Sequence, residues 1–427
     1  MSHPIDFIDE LAWRGMYYQS TEGAAEALAA GPVTGYCGFD PTAPSLHVGN
    51  LVPVMGLVHL QRAGHRPVAL VGGGTGMIGD PSGKSVERQL NSRETVDENA
   101  RRIGAQLARF LDFSGPRGAL MRDNADWLLS LGAVEFMRDV GKHFSVNVML
   151  AKESVRSRME TGISYTEFSY MLLQAYDFLA LHRRDGVTLQ IGGSDQWGNI
   201  TAGTELVRRV AGAEAQGVTL PLVTTAAGTK FGKSEAGAVW LDPELTSPYR
   251  FYQFWLNTDD RDVGRYLRYF TLLPRERVEA LERAAAERPE RREAQQALAS
   301  DVTARVHGAD AARVAREISA LLFGGADPAE LGAATFEALR HEVPFAEVER
   351  PAAEAPGLDP LDLLVATGLV ASRGAAKRLL EQGGVYVNGS RVAAADRFVR
   401  DGALLAGGHV LLRKGAREYG LARVKAA

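Results

Sequence analysis

Residues 36–50 read Tyr36-Cys37-Gly38-Phe39-Asp40-Pro41-Thr42-Ala43-Pro44-Ser45-Leu46-His47-Val48-Gly49-Asn50. A short apolar strand, Val33 to Phe39, runs into small and polar residues, and Leu46 to Leu60 then takes helical apolar spacing. Pro53 would break a helix interior but is tolerated in a first turn, where amides have no intrahelical partner. The helix is therefore expected to begin near His47 to Asn50. Its free amides and positive dipole end would face the strand tips, a natural phosphate site. A cap by Ser45 or Asn50 beside a surface histidine explains the same residues without a ligand.

Outward from this stretch the pattern repeats. Pro67 to Val71 is a second apolar strand ending in Gly72-Gly73-Gly74, and Val187 to Ile191 is a third ending in Gly192-Gly193. Strands alternating with helices imply an α/β domain built on a parallel sheet, whose ligands sit beyond the carboxyl ends of the strands. Between the second and third strands, residues 93–181 read as a helical insertion. Residues 248–343 read as helices with solvated, mixed-charge faces, and Ala346 to Gly357, with Pro351 and Pro356, as a linker. A tail follows with helices at Leu361 to Thr367 and Arg373 to Gln382, then a strand meeting the turn Asn388-Gly389. The expected division is a Rossmann-like α/β domain with its insertion over 1–225, a loop and connection over 226–247, a helical domain over 248–345, the linker over 346–357 and a small α+β domain over 358–427.

Composition agrees with a globular chain of more than one domain: 427 residues, 45% hydrophobic and 23% charged. One cysteine, Cys37, excludes an internal disulfide framework and a cysteine-rich zinc site. No apolar run is long enough to span a bilayer, and residues 1–20 lack the pattern of an export signal. A cytoplasmic location without membrane attachment is expected. From Leu358 onward eleven Lys and Arg face six Asp and Glu, a net +5, which leaves −9 on residues 1–357 of a chain whose total is −4. A basic module on an acidic body suits a polyanionic partner, although a solvated surface would show the same charge.

Two nucleotide motifs fail. Gly74-x-Gly76-x-x-Gly79 matches a dinucleotide fingerprint, but Asp80-Pro81-Ser82 follows, and proline spoils the long helix that should carry a pyrophosphate. Gly79 stands one residue too close to Gly83-Lys84-Ser85 for a phosphate-cradling loop. Three further groupings survive. Tyr170, Gln174 and Asp177 share one face of a helix that is otherwise apolar nearly all round, and a buried polar stripe is costly unless a protein partner or a small zwitterion satisfies it. Gln190-Ile191-Gly192-Gly193-Ser194-Asp195-Gln196-Trp197 lies at a strand end, and Lys230-Phe231-Gly232-Lys233-Ser234 is a glycine-flanked cationic loop. Each alone is also explained as core network, polar loop or solvated turn.

The order of these segments resembles bacterial tyrosyl-tRNA synthetase, a class I aminoacyl-tRNA synthetase, over essentially the whole chain. His47-Val48-Gly49-Asn50 resembles that family's HIGH region and Lys230 to Ser234 its KMSKS loop. Ala69 to Gly73, Gly79 to Ser82, Gly141 to Asn147, Ser169 to Asp177 and Gly192 to Trp197 also read like the family. The tail, marked by Ser372 to Gly383 and Val385 to Gly389, is similar to an RNA-binding module shared with a small-subunit ribosomal protein. The relative to exclude is tryptophanyl-tRNA synthetase. Tyr36 and Asp177 can hydrogen-bond a phenolic hydroxyl, whereas indole offers a donor only. A dehydrogenase using Gly74 to Gly79, and a non-catalytic RNA-binding relative, stay open as other readings.

The resemblance implies ATP-dependent activation of L-tyrosine and its transfer to tRNA(Tyr), with Mg²⁺ accompanying ATP, no dedicated metal cage, and a homodimer. It implies that Tyr36 and Asp177 hold the phenol, and that Asp80, Tyr170 and Gln174 hold the ammonium. Thr42 and His47 would meet the γ-phosphate, Lys84 and Arg88 the departing pyrophosphate, and Lys230 and Lys233 would close over the phosphates. Cys37, Gly38, Asp40, Asn50, Gln190, Gly193, Asp195 and Gln196 would line ATP and the adenylate, and Arg373, Lys377 and Arg378 would touch RNA. Asn50 departs from the HIGH pattern, standing where a second histidine is expected.

Overall fold

The computed structural model describes residues 5–82, 90–156, 158–159, 162–229, 231–234, 237–350, 356–393 and 398–425, with backbone alone at 153–154 and 233–234. The chain packs as two units, residues 1–247 with 254–306, and residues 248–253 with 307–427.

The first unit is built on a six-stranded sheet. Its strands are β1 (Gln19–Ser20), β2 (Thr34–Phe39), β3 (Arg66–Val71), β4 (Leu120–Asp123), β5 (Val187–Gly193) and β6 (Gln216–Leu220), in the order β1-β6-β5-β2-β3-β4. All pairings are parallel except β1 with β6. β3 lies on one side of β2 and β5 on the other, so the winding reverses between β2 and β5. That reversal opens a crevice at the strands' carboxyl ends, where open α/β sheets bind ligands. Tyr36 and Gln190 are register partners beside it.

The helices fall where their sequences place them. Helix α1 (Leu51–Arg62) follows a short 3-10 turn over Val48–Asn50, with His47 as its cap and Pro53 in the first turn of α1. Nearly every residue of α1 is buried, as its apolar sequence requires. Helix α2 (Arg93–Leu107) starts at Ser92, whose hydroxyl accepts from Thr95 N–H. Helix α3 (Tyr165–Asp185) starts at Ser164, which accepts from Glu167 N–H, and stops at left-handed Gly186. Helices α4 (Trp197–Ala211) and α5 (Asp260–Phe270) belong to the same unit. One expectation needs correcting: residues 93–181 are not helical throughout. Leu120–Asp123 joins the sheet as β4, parallel to β3, and Val71 C=O goes on to accept from Asn124 N–H. The short run Leu-Met-Arg-Asp carries no β-branched residue, so tertiary pairing rather than propensity makes the strand. A hairpin, β7 (Lys233–Ser234) and β8 (Gly237–Ala238), stands apart from the sheet.

The second unit holds a five-stranded sheet. Its strands are β9 (Phe345–Val348), β10 (Val385–Val387), β11 (Ser390–Arg391), β12 (His409–Lys414) and β13 (Glu418–Val424), ordered β11-β10-β12-β13-β9. Helices α6 (Pro360–Ala366) and α7 (Arg373–Glu381) pack on it, and Leu361, Leu364, Ala376, Leu380, Val385, Val410 and Leu412 share a core. Asn388 (φ 47°) and Gly389 (φ 85°) form the expected two-residue turn, which needs positive φ at both positions. Residues 346–357, read as a linker, include most of β9, which pairs with β13; residues 351–355 lie outside the described residues. Ile318, Leu321, Phe336 and Leu339 share a core with Leu405, Leu411 and Leu421, so part of the expected helical domain belongs with the tail.

Candidate active site

A cavity of about 810 Å³ opens at the β2–β5 switch point. Its lining includes Tyr36, Cys37, Gly38, Asp40, Thr42, His47, Asn50, Asp80, Tyr170, Gln174, Asp177, Gln190, Gly193, Asp195 and Gln196. Residues scattered over 161 positions of sequence are thus gathered on one wall system. Lys84, Arg88 and Lys230 lie outside the described residues, and of Lys233 only the backbone, in β7, is described.

At the deep end Asp177, 2% exposed on α3, accepts from Trp127 Nε1 at 2.8 Å and from Asn124 Nδ2 at 2.8 Å. Asn124 also donates to Thr75 Oγ1 (2.8 Å), Thr75 donates to Asp40 Oδ1 (2.7 Å), and Tyr170 donates to Asp40 Oδ2 (2.8 Å). One continuous polar chain therefore joins Trp127 to Tyr170. Burial pushes the Asp177 carboxyl up to about 8, against the two donors that stabilise its charge and with help from Asp40 and Asp123. Burial also drives the Tyr36 and Tyr170 phenols well above their ordinary value, next to Asp177 and Asp40 respectively. Tyr36 meets Phe178 edge to face (5.2 Å), and among the described residues its buried hydroxyl has no hydrogen-bond partner, nor has the buried Gln190 Oε1. Two orphaned polar atoms facing one cavity fit a ligand that supplies their partners.

Midway, Asp80 Oδ2 accepts from Gln196 Nε2 (2.6 Å) and Oδ1 from Ser82 N–H (2.9 Å). Gln174 donates to Gln196 Oε1 (3.3 Å), and Asn199 donates to Gln174 Oε1 (3.0 Å) and Gln196 Oε1 (3.1 Å). Gln196, expected at the nucleotide, thus belongs to the Asp80–Gln174 cluster, and Asp40 to the chain running from Asp177. An acid in one cluster with the neutral amide oxygens of Gln174 and Gln196 suits an ammonium.

At the outer end His47 caps the turn that leads into α1. Its Nδ1 accepts from Gly49 N–H (3.0 Å) while the His47 backbone N–H donates to Asn50 Oδ1 (3.0 Å), a reciprocal box. A Cβ on Gly49 would fall 2.7 Å from His47 Cε1, so the folded-back ring requires glycine there. Behind it Gln106 of α2 accepts from Leu46 N–H (2.9 Å) and donates to Ser45 Oγ (2.9 Å). Cys37 is buried and its thiol is pushed up to about 12, which makes it a packing group rather than a nucleophile.

Sequence reading missed Asn124, Trp127, Asn199 and Gln106. Each meets its partner across many residues, except Asn199, which lies three beyond Gln196 on a helix start and carried that much signal. In the second unit Arg373 pairs with Asp359 (2.7 Å) and with Asp362, so its charge is answered locally, while Lys377 and Arg378 are exposed on α7.

Residues 28–324 match the family model of class I tRNA synthetases (W and Y), and residues 336–422 match that of the tyrosine–tRNA ligase SYY-like C-terminal domain. The chain is 54% identical over 420 residues to a tyrosine–tRNA ligase of Anaeromyxobacter dehalogenans, covering 98% of this chain and 100% of that one. It is 53% identical over 423 residues to that of Bacillus caldotenax, again 98% and 100%. Among solved structures, a C-terminally truncated mitochondrial tyrosyl-tRNA synthetase of Aspergillus nidulans superposes with a TM-score of 0.67 at 31% identity, over 74% of this chain and 94% of that one.

Proposed function

The chain belongs to the class I tyrosine–tRNA ligases, and from that premise we propose how its pocket divides the work. The enzyme activates tyrosine with ATP and charges tRNA. In the first step a carboxylate oxygen of tyrosine bonds to the α-phosphorus of ATP, the bond to the β-phosphate breaks, and pyrophosphate departs with its electron pair. A carboxylate is already a nucleophile at neutral pH, so the step needs positioning and charge stabilisation rather than a strong base. In the second step a ribose hydroxyl of the tRNA's terminal adenosine attacks the activated carbonyl and AMP departs.

Tyr36 and Asp177 hold the phenol at the floor, and Asp80, Gln174 and Tyr170 hold the ammonium, with Gln196 and Asn199 orienting Asp80 and Gln174. Asp40 is a positioning residue, since Tyr170 and Thr75 both spend their hydroxyls on it. His47 and Thr42 meet the γ-phosphate, while Lys84, Arg88, Lys230 and Lys233 supply cations to the phosphates. Cys37, Gly38, Asn50, Gly193, Asp195 and Gln190 line the nucleotide and the adenylate. The observation that carries the reading is the Tyr36 hydroxyl, buried at the floor without a partner among the described residues.

Mg²⁺ enters as part of the substrate, on the phosphates of ATP; among the described residues no three His, Cys, Asp or Glu gather into a metal-binding group. Lys377 and Arg378 grip tRNA through its phosphates, with Arg373 held back by its carboxylates. Two copies pair through the short helices Ala133–Asp139 and Val146–Leu150, whose exposed Val134 (83%), Met137, Val146 and Val148 are covered in the pair. The working place is the cytoplasm, where ATP and tRNA meet; no helix among the described residues is long and apolar enough to cross a membrane. Exchange of labelled pyrophosphate into ATP, driven by tyrosine, tryptophan or phenylalanine in turn, tests the reading. Tyrosine alone should drive it efficiently, and equal exchange with tryptophan would overturn it.

A further inference from the structure

Trp240 lines the same cavity and has no part in the roles above. It follows β8, and it meets His47 in an antiparallel bridge. On either side of that bridge Val48 N–H donates to Val239 C=O (2.9 Å) and Leu241 N–H donates to Leu46 C=O (2.8 Å). The two rings meet edge to face, centroids 6.2 Å apart at 65°. The hairpin's other end is pinned as well. Phe231 is buried among Phe254, Trp255, Tyr266 and Phe270, stacked on Phe270 at 5.3 Å. Gly232, at φ +86°, lies so close to the turn that a Cβ would come 3.0 Å from Val48 Cγ2 and 3.3 Å from Gly49 N.

Two contacts among the described residues bear on the imidazole. Nδ1 accepts from Gly49 N–H, so the neutral ring carries its proton on Nε2. That bond fixes one edge of the ring; the indole fixes the plane. We propose that Trp240 is a positioning residue for His47, its indole packed at an angle to the imidazole and holding it in the orientation that aims Nε2–H at the γ-phosphate. The proposal rests on the phosphate role given to His47 above. A donor already aimed at developing charge needs no reorganisation during the reaction, whereas a small misplacement is expensive.

Trp240 also buries apolar area for the hairpin, and that role alone would act without His47. A double-mutant cycle separates the two, because an effect routed through His47 disappears once His47 is gone. Single-turnover adenylate formation and tyrosine affinity are measured on the full chain for Trp240→Ala, Trp240→Phe, His47→Ala and the double variant Trp240→Ala/His47→Ala. Trp240→Ala should slow the step roughly ten- to a hundredfold with tyrosine affinity intact. Trp240→Phe should restore most of the rate, and the double variant should be no slower than His47→Ala. Losses that multiply in the double variant, a parental rate in Trp240→Ala, or a matching loss of tyrosine affinity would overturn the proposal. A parental rate in His47→Ala would remove the phosphate role itself, and that result is read without any Trp240 variant.

Discussion

Trp127 donates its indole N–H to Asp177 across 2.8 Å, and burial nevertheless keeps that carboxyl near 8. In the unfolded chain an aspartate titrates near 4, about 3.9. The folded state therefore holds a proton that the unfolded state has lost across roughly pH 4 to 8. Stability from this group is complete below the lower value and is lost as pH rises through the upper one. Asp177→Asn carries no such proton. Its stability relative to the parent, measured by urea unfolding without tyrosine at pH 5, 6.5 and 8, should improve as pH rises, by up to ~1.4 kcal/mol per unit. A gap that stays constant across those pH values would show that Asp177 titrates in its ordinary range.

Gly49→Ala should damage the phosphate end selectively. The added methyl would sit 2.7 Å from His47 Cε1 and 2.9 Å from Nδ1, with the backbone of Phe231 near the other side, so the ring must swing away. Adenylate formation should fall by roughly a hundredfold, on the scale of a displaced catalytic group, with tyrosine affinity retained. Stopped-flow adenylate formation and equilibrium binding of tyrosine measure the two separately; a normal rate would mean that the imidazole's position is unimportant.

Asn50 accepts the His47 amide through Oδ1, which leaves its N–H₂ as the donor for a ribose oxygen. Asn50→Ala should therefore lose a cap as well as a contact, about 1 kcal/mol for the cap. Asn50→His should keep most activity, because a ring nitrogen accepts the same amide. Thermal unfolding and single-turnover rates of the three proteins check it. Equal behaviour of Asn50→Ala and the parent would reduce Asn50 to a bystander.

Removing the tail is a less clean experiment than the sequence suggests. A cut after Ala355 would separate β9 from β13 and split the core that joins Phe336 and Leu339 to Leu411 and Leu421. Substituting the exposed cations avoids this. Lys377→Ala and Arg378→Ala should leave tyrosine-dependent pyrophosphate exchange unchanged and weaken tRNA binding. Each should lower the slope of log affinity against log salt by about one if it neutralises a phosphate. Filter binding at several salt concentrations gives the slope, and an unchanged slope would place RNA elsewhere on the module.

The sequence made visible whatever obeys a local period or a turn rule. Tyr170, Gln174 and Asp177 share a face because four- and three-residue steps do so on any helix, and Asn388-Gly389 turns because both residues tolerate positive φ. The start of α1 followed from Pro53. What stayed hidden depends on long-range pairing. β4 has intermediate burial throughout and no β-branched residue, so nothing local distinguishes it from the helices around it. Asn124 and Trp127 lie in an unremarkable stretch about fifty residues before Asp177, and only the fold brings their donors to its carboxylate. Nothing local in the sequence marks Trp240; the bridge to His47 places it.

The central claim is that Tyr36 and Asp177 read the phenolic hydroxyl, and the ratio of activation efficiencies for tyrosine and phenylalanine tests it most directly. Pyrophosphate exchange gives kcat/KM for each amino acid in the parent, Tyr36→Phe and Asp177→Asn. The hydroxyl must be paired in a buried site, so removing a partner costs about 1–3 kcal/mol for tyrosine and little for phenylalanine, which never made the bond. The ratio should therefore fall by roughly five- to a hundredfold in each variant, through loss of tyrosine activity. An unchanged ratio in both variants, whatever their absolute rates, would contradict the assignment of the pocket floor.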